Sequence, residues 1–193
     1  GYSTGRGTLY DTTDTKSDAA AAASDGTYQL LWHGSGFNTN HVIEKLAFAT
    51  LGDATLHGTF QNDGSQTYVT DHTAMSDGVY TVSAGGTAHA FNETRMNRTS
   101  FGTEANATDF GNLVQALANP AMAGSTTRML FMGGAIGSGS PRYTAQIGSV
   151  TISRPANTHD FGHILQTIGY VMAHYSTHRP QYYSSNNRYA SIK

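Results

Sequence analysis

The sequence contains no cysteine. That absence removes disulfides, thiolate nucleophiles and thiolate metal sites together, and it leaves the redox compartment open. Charge is sparse as well: 11 Lys and Arg against 13 Asp and Glu give a formal net charge of -2, and only 12% of residues are charged. No run of Lys or Arg forms a basic stripe, so nucleic acid is not an expected partner. No apolar stretch approaches the roughly 20 residues that a membrane-spanning helix needs, so no membrane span is expected. The N-terminus lacks the charged-then-apolar pattern of a leader, and a chain opening on Gly1 is expected to be a processed product or a piece of something longer. What the chain has instead is 22 Gly and 11 Tyr, with 4 Pro and many Thr, Ser and Asn between short apolar runs. That is the profile of a turn-rich all-β protein, and 193 residues are enough to bury a core.

One phrase occurs twice. Asn-Ala-Thr-Asp-Phe-Gly-Asn-Leu at 106–113 returns 51 residues later as Asn-Thr-His-Asp-Phe-Gly-His-Ile at 157–164. It belongs to a longer register. Strand-like runs begin at Tyr28, Tyr80, Arg128 and Arg179, at intervals of 52, 48 and 51 residues, and each closes on a pair of small residues. A spacing of about fifty lies in the range of propeller-blade repeats. Before each run stands a polar turn: Ser24–Thr27, Ser76–Val79, Ser125–Arg128 and Ser176–Arg179. The first two carry Asp-Gly, a strong hairpin signal because glycine reaches positive φ without a Cβ clash. Before each turn comes a small-residue stretch, and before that Gly-x-apolar at Gly7, Gly58, Gly111 and Gly162.

The register decides one local conflict. Ala19–Ala23 is a helix by intrinsic propensity, but its counterparts contain Pro120 and the β-branched Val171. The alanines are therefore read as a strand in a crowded place. A β unit of this size cannot cover its own faces and needs stacked neighbours. Units are expected at about 24–75, 76–124 and 125–175, with 176–193 and 1–23 as the halves of a split fourth. Joining those halves within one chain would close a ring of four and hide the end strands. The rivals are an arc of a longer array, or completion by another chain.

The phrase at 106–113, an alanine-containing strand, Ser-Thr-Thr-Arg at 125–128 and Gly133-Gly134 together resemble the kelch-like repeats found in structural proteins of tailed phages, marine ones especially. Those repeats read approximately Asn-Ala-Thr-Asp-Phe-Gly-Asp-Leu, a variable strand, then Thr-Arg-Gly-Val-Phe-Gly-Gly. The similarity covers about 150 residues and weakens toward both ends. In the first unit Leu56 and His57 replace the Asp and Phe of the phrase, and Ser184-Ser185 replaces the last small pair. The resemblance implies an all-β, kelch-like propeller or partial propeller and a place in a virion. It carries no catalytic residue to transfer, since such repeats host both enzymes and pure binders.

Reactive constellations are few. His159 and His163 stand four apart, the spacing of paired zinc ligands on a helix, but Asp-Phe-Gly reads as a bend between strands, so polar loop positions are the simpler reading. His33, His41, His57, His72, His89, His174 and His178 occupy unrelated repeat positions and are read as solvated or core-edge. No Gly-x-Ser-x-Gly elbow or phosphate-binding Lys motif is present. Asp25, Asp63 and Asp77 each precede Gly and read as turn formers. Three Asn-x-Ser/Thr triplets, at Asn92, Asn97 and Asn106, are acceptors only on passage through a suitable secretory pathway. No metal, cofactor or catalytic set is expected.

The variable loops remain. Those at 37–41, 87–97 and 135–144 differ most in length and content, and variable loops on a repeated frame gather on one side as a contact surface. Asn38, Phe91, Asn92, Arg142 and Tyr143 supply stacking and hydrogen-bonding groups there. The expected function is a non-enzymatic structural or adhesion module of a tail, fibre or capsid decoration. Its partners would be other virion subunits, copies of itself or a host-surface glycan. The alternatives are a self-assembling subunit of a bacterial or archaeal extracellular filament, and a glycan-active enzyme whose paired carboxylates meet only in three dimensions.

Overall fold

The computed structural model describes residues 21–34, 42–50, 52–60, 69–88, 91–137 and 142–167, and the backbone of three further strands at 171–174, 181–184 and 189–191. Among the described residues there is no helix; every regular element is a β-strand. The first sheet holds β1 (Ala21–Ser24), β2 (Tyr28–Trp32), β3 (Val42–Ala47) and β4 (Thr55–Thr59) in that order. The second holds β5 (Thr73–Ser76), β6 (Tyr80–Ala84), β9 (Arg95–Ser100) and β10 (Thr108–Asn112), with a two-stranded ribbon of β7 (Thr87–Ala88) and β8 (Phe91–Asn92) inserted before β9. The third holds β11 (Ala121–Gly124), β12 (Arg128–Met132), β13 (Gln146–Thr151) and β14 (His159–His163). A fourth sheet contains β15 (Val171–His174), β16 (Gln181–Ser184) and β17 (Tyr189–Ser191).

Three sheets are therefore the same antiparallel meander. The alanine segment is extended over its described part, since Ala21–Ser24 pairs with β2 from Ala21↔Trp32 to Ser24↔Gln29. Helix propensity loses here to strand pairing and packing, which a repeat register carries and a local scale does not. The register expected from sequence differs from these sheets in phase. Each small-residue strand pairs with the strand that follows it, so sheets begin at Ala21, Thr73 and Ala121, one strand before the expected starts at 24, 76 and 125. The hairpin turn at each of those starts sits inside a sheet, between its first two strands.

Those turns are built as their residues dictate. Asp25 Oδ1 accepts the main-chain N–H groups of Thr27 and Tyr28 at 2.8 and 2.7 Å, and Asp77 Oδ1 does the same for Val79 and Tyr80. Gly26 and Gly78 take φ of 91° and 90° between the paired ends. In the third sheet Ser125 Oγ serves Thr127 and Arg128, both at 3.3 Å, and no glycine is needed. Asp63 lies outside the described residues.

In β6 every residue from Thr81 to Ala84 is buried, and in β12 every residue from Met129 to Met132, so both faces of these sheets are covered. Met75, Val82, Met96 and Phe110 of the second sheet meet Met122, Met129, Phe131 and Val150 of the third. Leu130, Met132, Ala121 and Ala123 point to the opposite face of the third sheet, with Ile147 and Ile164. A further cluster joins Leu30, Trp32, Ile43 and Phe60 to Phe101 and Ala107. The first strands lie side by side in series, β1 against β5, β5 against β11 and β11 against β15, where Ala121 and Ala123 are buried and small enough to permit close approach. A cation over the aromatic that opens β2 or β6 also repeats: Lys45 over Tyr28 at 4.1 Å and Arg98 over Tyr80 at 4.5 Å.

The repeated phrase is not a bend between strands. It forms an edge strand of each of the first three sheets and places a β-bulge inside it. Ile43 pairs with Gly58 and Glu44 with Leu56, leaving His57 as the extra residue; Phe110 and Phe161 are the extra residues of β10 and β14. Asp109 Oδ1 accepts the N–H of Gly111 at 2.9 Å, and Asp160 Oδ1 that of Gly162 at 3.0 Å. The glycines sit at φ of 131° and 143°, so Asp-Phe-Gly encodes a carboxylate brace, an inserted residue and the backbone freedom the insertion requires.

Candidate functional site

In a meander, loops alternate between the two ends of the sheet. The β2–β3, β6–β9 and β12–β13 loops therefore share an end with the segments that cross from one sheet to the next, and the structure knits them together. Thr70, in the first crossing, bridges Thr87, with N···O distances of 3.0 and 2.7 Å. Ala118, in the second crossing, bridges Ala135 at 2.9 and 2.8 Å. The two crossings are themselves joined where Asn119 N donates to Asp71 O at 2.8 Å. Asp71 and Asn119 adopt φ of 58° and 52°, left-handed positions that these two residue types tolerate best among those with a Cβ.

The small pairs have their reason here. A Cβ at Gly85 or Gly86 would press on the carbonyl oxygens of Leu117 or Thr70, and one at Gly134 on that of Ala118. Gly85, Gly86, Gly133 and Gly134 also hold φ between 61° and 107°. The sequence places glycine where the crossing chain runs against the loop.

Three of the five loop residues singled out from sequence converge. Asn92 Nδ2 donates to Ala135 O at 2.7 Å, tying the second sheet's loop to the third's. Tyr143 is bridged to the same Ala135, and Arg142 O accepts the N–H of Ile136 at 2.9 Å while its side chain is exposed. Asn92 is thus occupied in linking two loops, while Arg142 is exposed and Tyr143 half-buried. Phe91 belongs to β8, where it pairs with Ala88; its side chain, like all of Asn38, lies outside the described residues.

Below this surface lies a group that sequence reading missed. His33 Nε2 stands 3.0 Å from Glu44 Oε2, both side chains nearly inaccessible to water. His72 is buried beside them: its Nε2–H donates to the carbonyl of Trp32 at 3.1 Å, and its ring meets Phe60 edge-on at a centroid separation of 5.4 Å. Burial holds its pKa down at about 4, the bond to Trp32 opposing and nearby His33 adding to the effect. His57, which stands where the second sheet has Phe110, is also buried, with Nε2 3.3 Å from Thr99 Oγ1. Its pKa too is lowered by burial and then by Lys45. The reading of these histidines as solvated or core-edge is corrected: His33, His57 and His72 are interior. The signal available was position, since His57 occupies the phrase's aromatic slot. His41, His89, His178 and the side chain of His174 lie outside the described residues.

His159 and His163 both lie in β14. The bulge between them inverts the two-residue alternation and sends the rings to opposite faces; His159 Nε2 instead meets Ser149 Oγ at 3.0 Å. Among the described residues no group of three or more His, Asp or Glu is placed to hold a metal, and no helix is long and apolar enough to cross a membrane. At the opposite end of the sheets, the three hairpin turns surround a depression of about 530 Å3 lined by Asp25, Asp77, Met75, Met122 and Thr126.

No family model matches the chain, and no curated protein matches its sequence.

Proposed function

We propose that the chain is a non-enzymatic structural and adhesion module of a phage particle, in a tail, fibre or capsid decoration, built as a kelch-like propeller whose blades are the successive sheets. The observation that carries this reading is the equivalence of the first three sheets. Each has the same strand order, the second and third have the same braced bulge, and the loops of the second and third are knotted into one surface at Ala135. A frame of stacked repeats supplies rigidity and a broad face, and functional residues on such frames sit in the loops. Arg142 and Tyr143 offer a guanidinium fork and an aromatic plane, groups suited to a sugar ring or a protein neighbour. The buried His33–Glu44 pair and His72 serve the interior: their polar atoms face each other and the main chain.

The test has two arms. Mass spectrometry and antibody labelling of purified particles should find the chain on the particle surface, and a panel of cell-wall and capsular sugars should show binding without cleavage. Retention with sugar turnover would replace this reading with a glycan-active enzyme. Absence from particles, together with concentration-dependent polymers of the purified chain, would replace it with a filament subunit.

A further inference from the structure

The joints between the first three sheets follow one plan on the main chain. Ala107 N of the second sheet's side donates to Thr59 O of the first, and Thr158 N of the third sheet's side donates to Asn112 O of the second, both at 2.8 Å. What the two joints bury differs. The second is apolar, with Val82, Met96 and Phe110 against Met122, Met129 and Phe131. The first encloses four titratable side chains, His33, Glu44, His57 and His72, all buried. The repeat register sets these four against Gly85, Asn97, Phe110 and Pro120 of the next unit, none of which titrates. A Cβ at Gly85 would meet the Pro120 ring at 3.2 Å, so Pro120 stands to Gly85 as His72 stands to His33.

The histidines of the first joint are among its cross-links. His72, in the crossing that leads into the second sheet, donates to the Trp32 carbonyl of the first and meets Phe60 edge-on. His57 of β4 reaches Thr99 Oγ1 of β9. Trp32 Nε1 donates to Thr81 Oγ1 of β6 at 3.2 Å, and its ring packs on Phe60 with centroids 5.0 Å apart. A proton added to either imidazole would leave a charge in this interior, which is costly without a partner. The neighbouring charges do not relieve it. Glu44 is engaged with His33, and the Asp71 carboxylate accepts the Thr70 hydroxyl. Positive charge on Lys45 opposes protonation of His57, and His33 opposes that of His72. Glu104, in the loop after β9, favours a proton on His57 by less than burial and Lys45 oppose it. From β6 and β9 the facing groups are the hydroxyls of Thr81 and Thr99.

We infer that the first joint is an acid-sensitive switch: protonation of His57 and His72 opens the first sheet from the second, reversibly, while the second and third sheets stay joined. Opening gives both imidazoles access to water, where they take up the proton they refuse when buried. Burial holds His72 at about 4 against an ordinary 6.5, so the closed joint is fully favoured above pH 6.5 and loses that advantage as pH falls toward 4. At pH 5 this difference alone multiplies the opening equilibrium about thirtyfold. Opening uncovers Leu30, Trp32 and Phe60, which otherwise pack with Phe101 and Ala107 of the second sheet's side. The inference goes beyond a place in a particle and does not depend on it.

The matched amides of Ala107 and Thr158 provide the test. Hydrogen exchange of the full chain, expressed as protection relative to the intrinsic rate at each pH, is measured at pH 7.5 and pH 5. Protection at Ala107 should fall about thirtyfold and recover on return to pH 7.5, while protection at Thr158 changes less than about threefold. The double variant His57→Phe, His72→Gln places at 57 the residue type of the second joint and keeps a donor for Trp32 at 72; it should lose most of the fall at Ala107. Equal losses at Ala107 and Thr158 would mean a single global transition, and constant protection at both would mean that the joint does not sense acid. Either overturns the inference, as does an undiminished fall at Ala107 in the double variant. If that variant does not fold, the comparison of Ala107 with Thr158 in the parent decides alone.

Discussion

The side-chain oxygen of Asn157 accepts the main-chain N–H of Asn112 at 2.9 Å, from one sheet to the next. Asn106 does the same for Thr59 at 3.0 Å. The repeated phrase is thus a joint: its asparagine grips the preceding sheet while its Asp-Phe-Gly shapes the strand that the following sheet grips. These bonds are exposed, so each is worth about 1 kcal/mol. Asn106→Ala and Asn157→Ala should each lower unfolding free energy by about that amount, and the losses should add, because the sites share no partner. Urea titration of the two single variants and the double variant checks both statements.

Glycine at the joint is required by space. Gly111→Ala adds a Cβ against the Ala156 carbonyl and forces a strained φ, and Gly58→Ala adds one against the Ala105 carbonyl. Each should cost more than about 2 kcal/mol. Gly26→Ala meets open space and incurs only the strain of φ 91°, about 1–2 kcal/mol. A urea midpoint for Gly26→Ala below those of both joint variants would contradict the ranking.

How far the sequence could be read follows from the range of each signal. Asp25-Gly26 and Asp77-Gly78 are local, and their turns are those the residues specify. The period of about fifty residues marked a recurring β unit and overrode the helix propensity of the alanines. Phase was not legible, because hydrogen-bond partners are a long-range choice that a period leaves free: the repeat looks the same whether β5 belongs with β4 or with β6. The bulge hid in Asp-Phe-Gly because an inserted residue and a bend have the same composition. In the site, convergence of Asn92 with Arg142 and Tyr143 followed from loops sharing an end. The His33–Glu44 contact, between the residue that follows β2 and one within β3, left no pattern in the repeat to announce it.

Acid should weaken the fold through its buried imidazoles. His72 has a folded pKa of about 4 against an ordinary 6.5, so between those values the unfolded chain binds a proton that the folded chain refuses. The stabilisation from keeping His72 neutral is fully present above pH 6.5 and is lost as pH falls toward 4, at about 1.4 kcal/mol per pH unit at most. His57, also lowered by burial, acts in the same direction. Urea midpoints at pH 7.5, 6 and 4.5 should fall in that order. His72→Gln, which keeps a donor for the Trp32 carbonyl, should show a shallower decline; an unchanged pH dependence would contradict the assignment.

The loop face separates scaffold from contact. Asn92→Ala removes the bond to Ala135 and should lower stability by about 1 kcal/mol. Arg142→Ala is exposed and should leave the urea midpoint within about 0.5 kcal/mol of the parent. If the face binds a glycan, Arg142→Ala with Tyr143→Ala should weaken that binding at least tenfold by calorimetry, whereas retained affinity would move the contact elsewhere.

The joint between sheets is tested most directly by amide hydrogen exchange at residue resolution in the Asn157→Ala variant. The amide of Asn112, which donates to the Asn157 side chain, should exchange about tenfold faster than in the parent, while Thr59, served by Asn106, keeps its parental rate. Equal rates at Asn112 in parent and variant, or equal acceleration at Thr59, would show that the repeated phrase does not join the sheets in this way.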